Sequence, residues 1–409
     1  MQKSTTERFM ALFGTAFEYY DFVLFAFMSL YLSNHFFPDT DLQASLLKSW
    51  MVFGLGYIAR PIGALFFGFY ATLRGTAAAL VLQMFGMALA TIGIALLPTF
   101  ASIGITASLL LVFFRLCQGF CYGAELPTAM VFLSESATLP QWPLMVSWLM
   151  SSATIGAFLA SSLTYVLPLW LTELQLQSYG WRIPFILGAA LAIVAYQLRK
   201  KHLPQHERTT IMPVWSSLKS CWYLFIPCTG ILCLITTCII MPLYFPTFFK
   251  VYHHLPATTI SLATTYSLIY SILFTPLCGW LTRYIASPLL LAGAFLGTFA
   301  LYGGPYWTHP IIHTLGTLTL FLIAHQTLLS LYLVTLFPFV LHWLPKTHRT
   351  LLLAISYNLA FVIASFFPSL ATKLIQKTSD PTQINIILLS VACFSLLLFI
   401  GIWPRSAKK

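Results

Sequence analysis

The sequence predicts an all-α membrane protein: twelve transmembrane helices arranged as two pseudo-symmetric six-helix bundles. Three observations carry that expectation. Of 409 residues, 59% are hydrophobic and only 8% are charged, and the mean hydropathy is +0.84. A soluble chain carries about 25% charged residues to face water, so lipid must cover much of this one. Apolar runs of spanning length, roughly 20 residues each, recur twelve times. Finally, one long polar break, Arg199-Lys200-Lys201-His202 through Lys219, falls about halfway along. Helices are favoured because each satisfies its own backbone hydrogen bonds in hydrocarbon.

The spans run at 8–33, 47–71, 76–97, 103–134, 143–168, 182–199, 220–247, 258–281, 286–306, 310–341, 350–372 and 383–403. Loop signals such as Phe37-Pro38-Asp39, Leu139-Pro140 and Asp380-Pro381 separate them. The first span carries Glu18 and Asp21 and outruns a signal-peptide core, so it belongs to the folded protein. The expected organisation is an N-terminal bundle over 1–200, a cytoplasmic linker over 201–218 and a C-terminal bundle over 219–409. Eight cysteines (117, 121, 221, 228, 233, 238, 278, 393) lie within or beside spans without a CxxC pair, as small apolar packing residues do.

The formal charge of +11 is scattered between spans rather than gathered into a patch, which argues against nucleic acid. It sorts by side instead. With a cytoplasmic N-terminus, fourteen Lys and Arg fall on the cytoplasmic side and five (Lys48, Arg182, Lys250, Lys373, Lys377) on the other. The positive-inside rule therefore places both termini in the cytoplasm. The halves also repeat weakly. Gly68-Phe69-Tyr70-Ala71 ends the second span and Gly279-Trp280-Leu281-Thr282 the eighth, 211 residues on. A parallel six-helix repeat suits a midplane site between two rocking bundles.

Five blocks in order carry a family resemblance. They are Glu18-Tyr19-Tyr20-Asp21-Phe22 with Phe36-Phe37-Pro38; Arg60-Pro61-Ile62-Gly63 with Phe67-Gly68; and Arg115-Leu116-Cys117-Gln118-Gly119 with Gly123-Ala124-Glu125. Gly180-Trp181-Arg182-Ile183-Pro184-Phe185 follows, then Pro345 to Arg349 with Tyr357-Asn358. The chain resembles the metabolite:proton symporter branch of the major facilitator superfamily, whose members carry α-ketoglutarate, shikimate, citrate, proline and betaine. Two departures stand out. The loop after the second span has Thr72 where the superfamily places an acid, and Leu73, Thr76 and Ala77 at its basic positions; Arg283 stands at the equivalent acid position of the second half. The resemblance implies that this acid helps shut the cytoplasmic side, so closure here is expected to use other contacts, with Arg74 and Glu135 as candidates. The chain also ends soon after the last span, without a heptad tail, so osmotic regulation of the betaine-carrier kind is not expected.

Ionisable residues at bilayer depth are costly and mark function. They are Glu18, Asp21, Arg60, Arg115 and Glu125, all in the first half, while no acid lies between Glu207 and Asp380. A carboxylate that carries a coupling proton must then come from the first six helices. The resemblance implies that helices 1 and 4 line the central cavity, so Asp21 and Arg115 are expected to pair across it. Burial disfavours the charged carboxylate and a guanidinium favours it, so moving Arg115 would switch proton uptake; a fixed ion pair is the plainer alternative. Glu18, three residues from Asp21, is either a second proton site or a partner for Arg60. Arg60 is a clamp for a substrate carboxylate, or a bridge to Glu18 or Glu125. Gly119 and Gly123 form a small-residue packing face.

The remaining substrate-binding candidates are Glu125, Tyr19, Tyr266, Tyr270, His325, Gln326, Tyr357 and Asn358. Aromatic faces attract quaternary ammonium groups, and hydroxyls and amides bond carboxylates, though each of these also serves helix packing. His309 and His313 have metal-compatible spacing without a third ligand, so no metal and no cofactor is expected.

Together these readings imply a secondary transporter of a bacterial cytoplasmic (inner) membrane. Its expected work is proton-coupled uptake of a small organic acid, amino acid or betaine by alternating access, as a monomer with substrate, protons and membrane lipid as its partners. A proton-driven exporter is the nearest rival, but Ser151-Ser152-Ala153-Thr154-Ile155-Gly156 lacks the Gly-Pro signature of such antiporters. A solute receptor that moves nothing is the other rival. No nucleophile–base pair, metal set or phosphate loop points to an enzyme.

Overall fold

Each apolar run becomes a helix, and prolines sit at or inside several of them. The computed structural model describes residues 5–39, 41–74, 76–123, 125–135, 138–202, 214–303, 312, 314–345, 349–378 and 380–406. The helices are α1 (Thr5–Phe27, continued by Ser29–Phe36), α2 (Leu42–Arg74), α3 (Thr76–Ala95) and α4 (Ile105–Tyr122, continued by Glu125–Glu135). Then come α5 (Trp142–Trp170), α6 (Ile183–His202), α7 (Val214–Tyr252) and α8 (Ala257–Leu281). The last four are α9 (Ser287–Gly303), α10 (Leu315–Trp343), α11 (Arg349–Ser365, continued by Phe367–Thr378) and α12 (Gln383–Ser406). Among the described residues, nine helical stretches are long and apolar enough to cross a membrane, and Val81–Ala95 and Ser287–Gly303 are shorter apolar helices. With α1, each of the twelve expected spans has its helix. Twelve passes bring Thr5 and Ser406 to one face, the terminal face.

Expected span 4 breaks in two. Pro127 has no N–H to give the carbonyl of Gly123, four residues back, and its ring crowds that carbonyl, so α4 parts between Tyr122 and Glu125. Pro368, in the first turn of the second segment of α11, is tolerated there because that N–H is unpaired in any helix.

In the first half α1 packs on α5 and α6, α2 on α4, and α3 on α4 and α6; in the second, α7 packs on α11 and α12, α8 on α10, and α9 on α10 and α12. The halves meet where α5 crosses α8 and α10, where α11 crosses α2 and α4, and where α1 touches α7. Glycine permits the tightest approach. A Cβ on Gly63 would strike the Phe120 carbonyl, and one on Gly119 the Gly56 carbonyl, so α2 and α4 lie backbone to backbone. Gly123 abuts the Arg60 carbonyl in the same seam.

Away from the terminal face, Gly180-Trp181-Arg182 forms one 3₁₀ turn before α6. Trp181 is buried against His35 and Phe36, with ring centroids 5.4 and 5.6 Å away. Arg182 Nη2 donates to the Leu97 carbonyl past the end of α3 at 3.1 Å. That block therefore ties three loop ends together. Most of the expected linker 201–218, together with His309 and His313, lies outside the described residues, as do the side chains of Thr72 and Glu135.

Candidate functional site

Where the halves meet, a narrow cavity of about 60 Å³ remains. A water needs about 10–15 Å³ of such space, so this holds a few waters or one small polar group. Its walls are mostly apolar (Leu126, Met150, Ala157, Ile239, Leu243, Leu329, Leu333), with Tyr19 and Thr154 from the first half and Gln326 and Tyr357 from the second as polar points. Of the expected substrate residues, Tyr19, Gln326 and Tyr357 line it.

Asp21 and Arg115 are placed differently from the expectation. They neither pair directly nor face the cavity; both are buried inside the first bundle, 1% and 0% exposed. Two uncharged residues join them. Arg115 Nη1 donates to Gln118 Oε1 at 2.9 Å and more weakly to the Phe22 carbonyl at 3.4 Å. Gln118 Nε2 donates to Thr91 Oγ1 at 2.8 Å, and the Thr91 hydroxyl donates to Asp21 Oδ2. The direct pair is absent because α3 lays Thr91 between α1 and α4. The Arg115 guanidinium is covered by Phe25 and Phe22, 4.3 and 4.7 Å from their ring centroids.

Arg60 is likewise shut off from the cavity. Its guanidinium sits 4.1 Å from the ring centroids of Phe22 and Tyr57, 4.3 Å from Tyr122 and 4.9 Å from Phe361. Nε and Nη2 have no hydrogen-bond partner. Three of these rings belong to the first half and Phe361 to the second, so parting the halves would remove one of its four covering rings. Glu18 and Glu125 are buried, 5% and 2% exposed. Glu125 opens the second segment of α4, where a helix N-terminus favours a carboxylate.

Four expected ligands in the second half are otherwise engaged. Tyr266 is 48% exposed and shares an outward stripe of α8 with Ile269, Leu273, Leu277 and Trp280, at spacings of three and four residues. It lies on this apolar outer stripe and does not line the cavity. Tyr270 bonds Thr327 at 2.9 Å and ties α8 to α10. His325 is 1% exposed, bonds the Tyr302 hydroxyl through Nδ1, and meets the Cys238 carbonyl through Nε2 at 2.8 Å. Asn358 Nδ2 donates to the Gly123 carbonyl at 2.7 Å, across the two halves.

Proline explains why these carbonyls are available. A proline at position i leaves the carbonyl at i−4 without its helical donor. Pro127 frees Gly123, which Asn358 takes; Pro242 frees Cys238, which His325 takes. Pro276 frees Ile272, and Ser151 of α5 donates to it at 2.7 Å. Two of the three links cross between halves, on the terminal-face side. There too the Arg349 guanidinium lies 5.0 Å from a Trp142 ring centroid. Arg74 is exposed at the end of α2. At the other end the halves touch through Ser29 and Thr247, 3.2 Å apart, and through Trp50 stacked edge-on to Tyr244, centroids 5.4 Å apart.

Sequence reasoning quoted Gln118, Ser151 and Thr154 only as parts of blocks, and missed Thr91. A lone Thr or Ser in an apolar run carries no signal until its partner helix is known.

The Major Facilitator Superfamily model matches residues 11–259. The citrate-proton symporter of Klebsiella pneumoniae is 29% identical over 409 residues, covering 96% of this chain and 90% of its own. The alpha-ketoglutarate permease of Escherichia coli (strain K12) is 34% identical over 210 residues, 51% of this chain and 49% of its own. Among solved structures, the proton:xylose symporter XylE bound to 6-bromo-6-deoxy-D-glucose aligns with a TM-score of 0.75 at 16% identity, covering 98% of this chain and 95% of its own. That last likeness is one of fold.

Proposed function

The chain belongs to the major facilitator superfamily, and from that premise we propose that it is a secondary active transporter taking up a small organic acid, amino acid or betaine together with protons. One observation carries the reading. A buried carboxylate, Asp21, is wired to a buried guanidinium, Arg115, within one bundle, while the facing bundle has no acid between Glu207 and Asp380. A buried carboxylate with a linked cation can be charged or neutral, and the choice depends on what surrounds it. Tyr19, Thr154, Gln326 and Tyr357 give the cavity hydroxyl and amide groups for a small polar solute. The relatives include a citrate-proton symporter and an alpha-ketoglutarate permease, which supports an organic acid as the class of solute, admitted when the halves part and the cavity widens. Uptake proceeds by rocking of the two bundles about this cavity, with both termini in the cytoplasm of a bacterial cell and the protein monomeric in its inner membrane.

The test is transport into proteoliposomes under an imposed pH gradient, with labelled citrate, α-ketoglutarate, proline and glycine betaine offered in turn. One of them accumulates above equilibrium, a protonophore collapses the gradient, and Asp21→Asn loses uphill accumulation while keeping exchange. Accumulation by Asp21→Asn equal to that of the parent rules out the coupling assignment; binding of all probes without flux favours a receptor.

A further inference from the structure

The two oxygens of Asp21 meet different surroundings. Oδ2 accepts the Thr91 hydroxyl, the near end of the chain that leads through Gln118 to Arg115. Oδ1 is buried and has no hydrogen-bond partner. It faces Gly188 of α6, where a Cβ would stand 3.0 Å from it, so the missing side chain leaves Oδ1 room. We propose that Thr91 and Gln118 are positioning residues for coupling: they hold Oδ2 as the fixed, charge-sensing oxygen and leave Oδ1 as the atom that takes the proton. This rests on the reading of Asp21 as the coupling carboxylate.

The step balances simply. A proton from water adds to Oδ1, an O–H bond forms, and the carboxylate loses its charge; on release the proton returns to water on the other face. Neutral Asp21 is a weaker acceptor at Oδ2, so the Thr91 hydroxyl loosens, and the Gln118 amide loses the polarised acceptor it donates to. Arg115 thereby senses the proton through three hydrogen bonds without touching the carboxylate. Chains of this kind strengthen each member by polarisation and weaken together when one end changes. Few other charges confuse the signal. Tyr20, next in the chain, gives its hydroxyl to the Pro184 carbonyl of α6 at 2.8 Å. Glu18 lies one turn away on α1; α3 has no titratable residue at all. On α6 the first titratable residue past Gly188 is Tyr196, two turns on; Arg115 is the charged group in the first segment of α4, which also carries Cys117 and Cys121, and Glu125 opens its second segment.

Infrared titration of the purified protein in lipid reads Asp21 without any transport. The probe is the carboxylic C=O band that Asp21→Asn removes. Losing one charge-assisted donor changes proton affinity by about tenfold or more. Thr91→Val is expected to bind the proton about tenfold more tightly, moving the band midpoint to higher pH, and Thr91→Ser to restore the parent midpoint. Gln118→Leu shifts it the same way by less. Restoration of the midpoint by Thr91→Ser is a result that general loosening of the bundle does not produce. Parent midpoints in both Thr91→Val and Gln118→Leu overturn the proposal. The band separates this test from the functional one: a shifted midpoint alongside unimpaired uphill uptake by Asp21→Asn leaves the hydrogen-bond chain standing and sinks the coupling reading alone.

Discussion

A charge in hydrocarbon persists only where protein replaces its water, and each buried ion here meets that demand differently. Arg60 is wrapped in four rings, whose faces attract a cation, and Arg115 combines two rings with two acceptors. Among polar residues, position relative to the cavity separates ligands from packing. Tyr19→Phe and Gln326→Ala each remove a group from the cavity wall, and a lost hydrogen bond weakens binding by roughly 3- to 10-fold. KM for the accepted probe is expected to rise by that factor in each, whereas Tyr266→Phe, on the outer stripe, leaves KM and kcat unchanged. A rise in KM for Tyr266→Phe equal to theirs contradicts this placement. The scarcity of acids let the sequence point to Asp21 and Arg115, because intramembrane charges are rare enough to notice. It could not show that they communicate through Thr91 and Gln118, since one hydroxyl and one amide from two further helices look like ordinary polar punctuation.

At the scale of helices, the repeated device is a proline that frees a carbonyl and a neighbouring helix that fills it. Pro127, Pro242 and Pro276 fall inside spans expected to run unbroken, and the carbonyl each one frees follows from i−4 arithmetic. Their partners were not legible, because Asn358 lies 235 residues from Gly123 and Ser151 lies 121 from Ile272. These two links hold the terminal-face side together in a chain whose second-span loop has Thr72 in place of an acid. Interhelical hydrogen bonds in membranes contribute about 0.6 kcal/mol on average, so losing one shifts an open–closed equilibrium by about threefold. Asn358→Leu is expected to raise the rate at which an impermeant maleimide reaches Thr154→Cys from the terminal face by that factor, and Ser151→Ala added to it by more. Pro127→Ala provides a second route to the same state: its new N–H re-pairs with the Gly123 carbonyl and takes the acceptor from Asn358. If labelling in Pro127→Ala matched the parent while Asn358→Leu differed, the proline account would fail.

For the whole molecule, the two halves divide the work unequally. Among the described residues, the first supplies every buried carboxylate and guanidinium and the second supplies uncharged polar groups and the larger share of freed carbonyls. The composition of each half made that asymmetry visible before any fold was known. What composition could not convey is that the halves touch on both sides of the cavity. Ser29 meets Thr247 at one end, while Asn358 and Ser151 reach across at the other. Simultaneous contact leaves the small cavity reachable only when one set of contacts opens. Alternating access follows if the two sets exchange, and locking one then forces the choice. The Ser29 and Thr247 oxygens are 3.2 Å apart, so cysteines at these positions bring their sulfurs into one another's neighbourhood. Oxidised Ser29→Cys/Thr247→Cys protein is expected to lose net flux by about tenfold or more and to regain it on reduction. Maleimide access to Thr154→Cys from the terminal face should persist in the oxidised protein, because only the opposite end is locked. Full flux in the oxidised state, with the cross-link verified by mass, would mean that this end need not part for transport, and the rocking mechanism would have to be abandoned.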